Sequence, residues 1–318
     1  MAKLVQQSVL PLGRRYVGVQ RRTPLKRKMV TWCLVQQKLD SFRHYFDQGQ
    51  EGLYWYDYTP LRILELFGGN VARTHLYLKL LAATSPLENI ASNVRLALKA
   101  LKLAERGADL ASIGRVFRFD AHYCNVVRAI QGQVLHGPKV SAFYMNLMGP
   151  RPHWKYGATE VEAPEHFPNA ANVVTVDRWM MRVAKGICRE SGDKADDAPS
   201  LPEYACISRA VQKLAGESGV DPRQYQAAVW VGVKKECGSP EDRADPFEVA
   251  LNQLLSTGQN EFDFDAPEPE LTLEESDPLG GMEADVSDIY GAAEEERMAA
   301  GNPPLSREEI NARVLGEA

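Results

Sequence analysis

An all-α fold is what this chain predicts, and three observations carry the prediction. Apolar residues recur at helical spacing through most of residues 30–235. Extended character is confined to Val173–Val176, too short a stretch to build a sheet. Glycine, proline and short polar residues fall where helices start and stop.

Residues 30–47 have helical spacing through Trp32, Leu34, Val35, Leu39, Phe42 and Phe46, ending before the Gly49–Gly52 turn. Tyr54, Trp55, Tyr56 and Tyr58 precede Pro60, read as a break, and are expected to pack in the core rather than stack on bases. Leu61–Phe67 is a short apolar segment closed by Gly68–Gly69, with Asn70 as the next cap. Val71–Ala83 is apolar nearly all round and is expected to be a buried helix. Asn89–Arg106 is amphipathic and stops at Gly107. Further helices are expected near 109–117, 120–132, 139–148, 177–190, 201–217 and 222–235. Between them, 149–172 is proline-rich and reads as an inserted loop. After about Pro240 one helix (Pro246–Leu255) is expected, then largely disordered sequence over 259–318 with a short helix near Ser306–Leu315.

Composition narrows the class. Five scattered cysteines with no CxxC pair, and six histidines without ligand spacing, fit neither a disulfide framework nor a metal site. No apolar run approaches the roughly 18 residues of a membrane span, so a soluble, cytoplasmic protein with reduced cysteines is expected. The net charge of −5 conceals a division. From Glu241 onward 4 Lys/Arg face 21 Asp/Glu, a net of −17, so the remainder carries +12. A basic body attracts polyanions by releasing their condensed counterions. The sequence therefore divides into a basic arm and helix (1–59), a helical body (60–240) and an acidic tail (241–318). Seven Lys/Arg between Arg14 and Lys28 suit either a phosphate-backbone arm or a solvated leader.

The chemistry centres on two segments. His136-Gly137-Pro138-Lys139 opens an apolar helix, so free backbone N–H groups point outward as an anion site requires. Lys139 sits at the positive end of that helix, which depresses its pKa and favours the free amine that Schiff-base chemistry needs. Val176-Asp177-Arg178-Trp179 places a lone carboxylate at another helix start, where the dipole keeps it ionised to act as a base or to stabilise a developing cation. Arg178 and Arg182 flank it, to bind phosphates or to pair with acids.

These segments resemble the helix-hairpin-helix (HhH-GPD) DNA glycosylases of the endonuclease III and 8-oxoguanine glycosylase type. Gly137-Pro138-Lys139-Val140-Ser141 is similar to that family's Gly-X-Lys-[Val/Thr]-Ala hairpin, and Val176-Asp177-Arg178-Trp179 to its Val-Asp-X-His. Upstream, Leu80-Leu81-Ala82-Ala83-Thr84-Ser85 is similar to its Leu-Leu-Ser-Ala-Gln stretch. The resemblance spans about Pro60 to Lys235 and implies two helical subdomains, duplex DNA as partner and a flipped base. It implies Lys139 as amine nucleophile and Asp177 as the group that activates it and stabilises the sugar cation. DNA contacts are expected from His136, Gly137, Pro138, Thr84, Ser85, Arg178 and Arg182, and the base pocket from Asn89, Tyr144, Asn146 and Trp179. Leu135 stands where the family usually has a glycine, and Trp179 where it has histidine. Lys139 and Asp177 lie 38 residues apart, about twice the family's usual separation. The four-cysteine motif of the endonuclease III branch is missing, so no iron–sulfur cluster, metal or other cofactor is expected.

The form Thr175-Val176-Asp177-Arg178-Trp179 and the residues around Tyr144 and Asn146 also resemble a phage-associated offshoot, the alpha-glutamyl/putrescinyl thymine pyrophosphorylase group. That resemblance implies amine transfer onto an activated pyrimidine in DNA instead of excision. A third reading is a DNA-binding protein without catalysis, its acidic tail docking a partner or acting as a self-inhibiting DNA mimic. Removal of residues 259–318 is expected to leave folding intact and to tighten DNA binding at low salt, measured by circular dichroism and equilibrium binding. An unfolded truncation would overturn the reading of the tail.

Overall fold

The computed structural model describes residues 30–86, 88–117, 120–187 and 199–238. The basic leader and the acidic tail, with its two expected helices, lie outside the described residues. Among those residues the chain is predominantly helical: α1 (Trp32–Gln36), α2 (Leu39–Gln48), α3 (Trp55–Leu66), α4 (Val71–Ala83), α5 (Ile90–Glu105), α6 (Leu110–Gly114), α7 (Asp120–Ile130), α8 (Pro138–Met148), α9 (Arg178–Lys185), α10 (Leu201–Ser218) and α11 (Pro222–Cys237).

Local chemistry sets most boundaries. Asn70 and Asn89 each accept a backbone N–H at the start of α4 and α5. Reciprocal capping boxes open α10 (Ser200 with Glu203) and α11 (Asp221 with Gln224), each with proline in the first turn. Gly186 and Gly219 end α9 and α10 in the left-handed conformation.

Four expectations change. Pro60 lies inside α3, which begins at Trp55, so the boundary drawn at residue 59/60 falls within one helix. Thr59 and Pro60 are buried, and tertiary packing of this face offsets the hydrogen bond that proline removes. The 30–47 segment is two helices, separated at Gln37–Lys38. The 149–172 insertion is not only loop: His153–Tyr156 (β1) pairs antiparallel with Thr159–Glu162 (β2) around a turn at Gly157. There Trp154 is buried between exposed His153 and Lys155, the alternation of a half-buried strand. Val173–Val176 lies outside any helix, with Val173 extended, and joins no strand among the described residues. Finally, Cys33, Cys124 and Cys206 are free thiols, whereas Cys237 is disulfide-bonded, which departs from the expected set of reduced cysteines.

One core runs through the molecule. α4 buries Tyr77 through Ala83 against α5, α7 and α8. Trp55 and Tyr56 are buried as expected, packed on Phe143 of α8, and only Tyr54 of that aromatic cluster is largely exposed. The most extensive helix pair is α2 with α11. Phe46 stacks on Tyr225 at 4.2 Å between ring centroids, and the backbones approach through two glycines. A Cβ on Gly232 would lie 1.9 Å from the Tyr45 carbonyl oxygen, and one on Gly49 would lie 1.9 Å from that of Ala228.

Gly232→Ala is therefore expected to destabilise the protein by about 2–3 kcal/mol in urea unfolding, because the clash is with backbone that cannot rotate away. Gly216→Ala on α10, where a Cβ meets nothing within 4 Å, is expected to stabilise it by about 0.5–1 kcal/mol through helix propensity.

Candidate active site

Lys139 stands at the start of α8 and Asp177 at the start of α9, and the charge of the second acts on the first. Between α7 and α8 the loop 131–137 is held by side chains from both helices. The buried Asn125 accepts from the His136 N–H at 2.7 Å and donates to the His136 carbonyl at 3.3 Å. Arg128 Nε donates to the Val134 carbonyl, its guanidinium lies against the His136 ring, and Ser141 Oγ donates to the Leu135 carbonyl. These contacts satisfy backbone groups that a helix hairpin leaves unpaired. Leu135 itself is buried. Gly137 has φ +93°, a backbone that side chains rarely adopt, and Pro138 follows at the first helical position.

Lys139 is the next residue, half-buried, and its Nζ donates to the Ser85 carbonyl at 2.8 Å. Burial pushes the Lys139 ammonium down to about 8; Asp177 and Glu88 oppose the shift, and Arg178 adds to it. Removal from water is the main cause of this shift. Asp177 is the cap of α9. One carboxylate oxygen accepts the N–H groups of Trp179 (2.9 Å) and Met180 (3.1 Å), and the other accepts Trp230 Nε1 at 3.0 Å. Three donors around a single carboxylate fix its position and leave about one of its acceptor sites open, an arrangement that suits electrostatic stabilisation of a cation.

The other expected residues separate into groups. Arg178 is close enough to influence Lys139, so it belongs to the site. Arg182 does not serve as a phosphate ligand: it is 2 % exposed, with its guanidinium 4.4 Å from the Trp179 ring centroid. Trp179 is buried beside it. Thr84 is fully buried, its hydroxyl between the Leu80 carbonyl and Asn93 Oδ1, which leaves no face for DNA. Ser85 is buried, and its Oγ has no hydrogen-bond partner. Asn89 is exposed and occupied as the α5 cap. Asn146 is sealed in the interior, donating to Thr175 Oγ1 at 3.0 Å. Tyr144 belongs to a second cluster: its hydroxyl lies 2.6 Å from both Glu165 Oε2 and His75 Nε2, with Lys79 Nζ 5.5 Å from the ring centroid.

Sequence reasoning missed three contributors. His122 on α7 donates Nε2–H to the Pro86 carbonyl at 2.6 Å, and burial lowers its pKa, so it stands neutral beside Lys139 and Glu88. Glu88 and Trp230 act on Lys139 and Asp177 respectively. No local pattern marks them, for Trp230 is 53 residues from its carboxylate. A separate cleft of about 310 Å³ opens between α3, the end of α8 and the β1–β2 hairpin, with Tyr56, Trp154, Arg151 and Arg223 in its lining. Tyr56 also feels the charge of Asp177. Among the described residues no cluster of His, Cys, Asp or Glu is placed to hold a metal ion, and no helix is long and apolar enough to cross a membrane.

A family model described as a family of unknown function, DUF7178, matches residues 42–237. No curated protein and no solved structure matches the chain.

Asp177→Ala is expected to lower stability by about 1 kcal/mol or more in thermal unfolding, by removing the α9 cap and leaving Trp230 Nε1 unpaired. Asp177→Asn retains the capping oxygen but turns an N–H toward the Trp230 Nε1–H, so it is expected to recover only the capping part of that loss.

Proposed function

We propose that this chain, which belongs to the DUF7178 family of unknown function, is an enzyme that acts on bases in DNA through Lys139 and Asp177. The observation that carries the reading is the Lys139 amine, pushed down to about 8 and facing the field of a carboxylate that is itself tethered by three N–H donors. At pH 7 roughly a tenth of such an amine is neutral, against well under a thousandth of an ordinary lysine. Neutral amine is what attack on a sugar carbon requires.

In this mechanism one nucleotide leaves the stack. The exposed His136, the N–H groups that open α8 and Arg178 engage the backbone around it. As the N-glycosidic bond breaks, its electron pair leaves with the base and the ionised Asp177 stabilises the cationic sugar. Lys139 then bonds to the sugar carbon. Opening of the ring and loss of a proton give the imine, from which elimination cleaves the strand.

A second reading keeps the fold and transfers an amine or amino-acid group onto an activated pyrimidine. The cleft of about 310 Å³ beside Tyr56, at the small end of ligand-site volumes, is the observation that favours it. Excision leaves an abasic site or a nick, whereas transfer leaves the strand intact.

Borohydride trapping with labelled duplexes carrying an abasic site or a panel of modified bases tests the proposal. Wild type is expected to form a covalent adduct, and Lys139→Gln and Lys139→Ala none. Asp177→Asn is expected to lose about 100-fold or more in turnover while keeping DNA affinity. Trapping rate is expected to rise about tenfold per pH unit below pH 8 and to level above it, following the free amine. No adduct on any duplex, with DNA binding intact, would move the assignment to group transfer or to a binding protein.

A further inference from the structure

Lys139 and Asp177 come from segments 38 residues apart, separated by the whole hairpin insertion, so something must hold their backbones in register. The first turn of α8 carries Lys139 immediately after Pro138, and the segment Val173–Val176 delivers Asp177 immediately after Val176. That segment has no strand partner among the described residues; the Val173 N–H bonds the Ala170 carbonyl, and other buried backbone groups of the segment need bonds from side chains. Tyr204, on α10 and 4 % exposed, serves two of them. Its hydroxyl donates to the Val174 carbonyl at 2.6 Å and accepts from the Val176 N–H at 3.3 Å, while the Pro138 carbonyl lies 3.4 Å away as a second, longer acceptor. One oxygen atom therefore touches the residue before the lysine and the residue before the aspartate. Tyr204 is firmly seated: the capping box at Ser200 and Glu203 fixes its turn of α10, and the fully buried Glu203 also accepts the Val30 N–H.

We propose that the Tyr204 hydroxyl is a positioning group that couples the first turn of α8 to the segment leading into α9, and so sets how deeply Lys139 sits and how it faces Asp177. The inference rests on the reading of that pair given above. Tyr204 touches no reacting atom. Its effect passes through two backbone segments, because a long flexible lysine keeps its amine out of water only where its helix start is held.

The test reads the ionisation of Lys139 directly, without DNA. The full chain is reductively methylated with 13C-formaldehyde, the Lys139 signal is assigned by its loss in Lys139→Arg, and its titration is followed by NMR. Wild type, Tyr204→Phe and Tyr225→Phe are compared. Tyr225 is the control because its buried hydroxyl has no hydrogen-bond partner, so the same chemical change breaks nothing. The midpoint in Tyr204→Phe is expected to rise by about one unit or more toward the ordinary lysine value, with Tyr225→Phe unchanged. The pH–rate profile of imine trapping on an abasic duplex is expected to move alkaline by the same amount. A folded Tyr204→Phe whose midpoint matches wild type would overturn the proposal, leaving the hydroxyl a purely structural role. A wild-type midpoint near the ordinary lysine value would instead remove the free-amine basis of the proposed function. If Tyr204→Phe does not fold, Tyr204→4-aminophenylalanine decides. It restores a donor toward Val174 but accepts poorly from Val176, so a rise of about half a unit is expected and an unshifted midpoint overturns the proposal.

Discussion

The close seating of α11 against α2 is the constraint on which the rest of the molecule depends. Two helices whose backbones meet at Gly49 and Gly232 have almost no freedom in register, because any side chain there strikes a carbonyl oxygen. From that fixed position α11 extends three polar groups into the body. Trp230 Nε1 reaches Asp177, Gln226 accepts the Tyr56 hydroxyl at 2.8 Å, and Arg223 bonds both Asp57 and the Asn146 carbonyl. A partly buried ion pair such as Arg223–Asp57 contributes little net stability once desolvation is counted, but it penalises every arrangement in which the buried Arg223 is left alone. A shift of α11 along α2 would disturb all three links at once, and with them the carboxylate at the site.

The site shows the tension expected where function and stability conflict. Holding an ammonium out of water is unfavourable, and the folded protein lowers the Lys139 pKa rather than neutralising the group with a close carboxylate. The sign of the pH dependence follows. With the folded value near 8 and the unfolded value at 10.5, the unfolded chain binds more protons between those limits. Stability contributed by this residue therefore rises with pH across that window, and below it the cost of burying the charge is borne in full. Asp177 opposes that cost through its charge without abolishing it, for the Lys139 Nζ donates to the Ser85 carbonyl instead. The carboxylate is held in place by the fold, and its field acts on the amine without closing a salt bridge in the structure.

The polar interior beneath the site is organised by single hydroxyls and amides rather than by a sheet. Tyr204 serves the segment before Asp177, Asn125 serves the loop before Lys139, and His122 fixes the Pro86 carbonyl beside the Ser85 carbonyl that Lys139 meets. Each is a side chain doing for an irregular backbone what a ladder does for a strand, so local geometry near the reacting groups is specified residue by residue.

How much of this was legible in the sequence depends on the range of the interaction. The helical class, the cap at Asn70, the helix over Val71–Ala83 and the placement of Lys139 and Asp177 at helix starts all follow from neighbours within about four residues, the reach of helical hydrogen bonding and capping. Pro60 misled because its local cost is overridden by burial of α3 from outside the helix. The β1–β2 hairpin was hidden by flanking prolines, although Trp154 and Tyr156 alternate as a strand requires. Nothing local assigned Arg182 to an aromatic face instead of a phosphate, removed Thr84 and Asn146 from the pocket, or brought Trp230, His122 and Tyr204 to the pair. By itself the sequence determined the helices and the two residues that stand at their starts, because those depend on short-range bonding. The lysine's desolvation and the carboxylate's tether were decided only by the tertiary structure, since both arise from groups that chain distance separates and packing alone brings together.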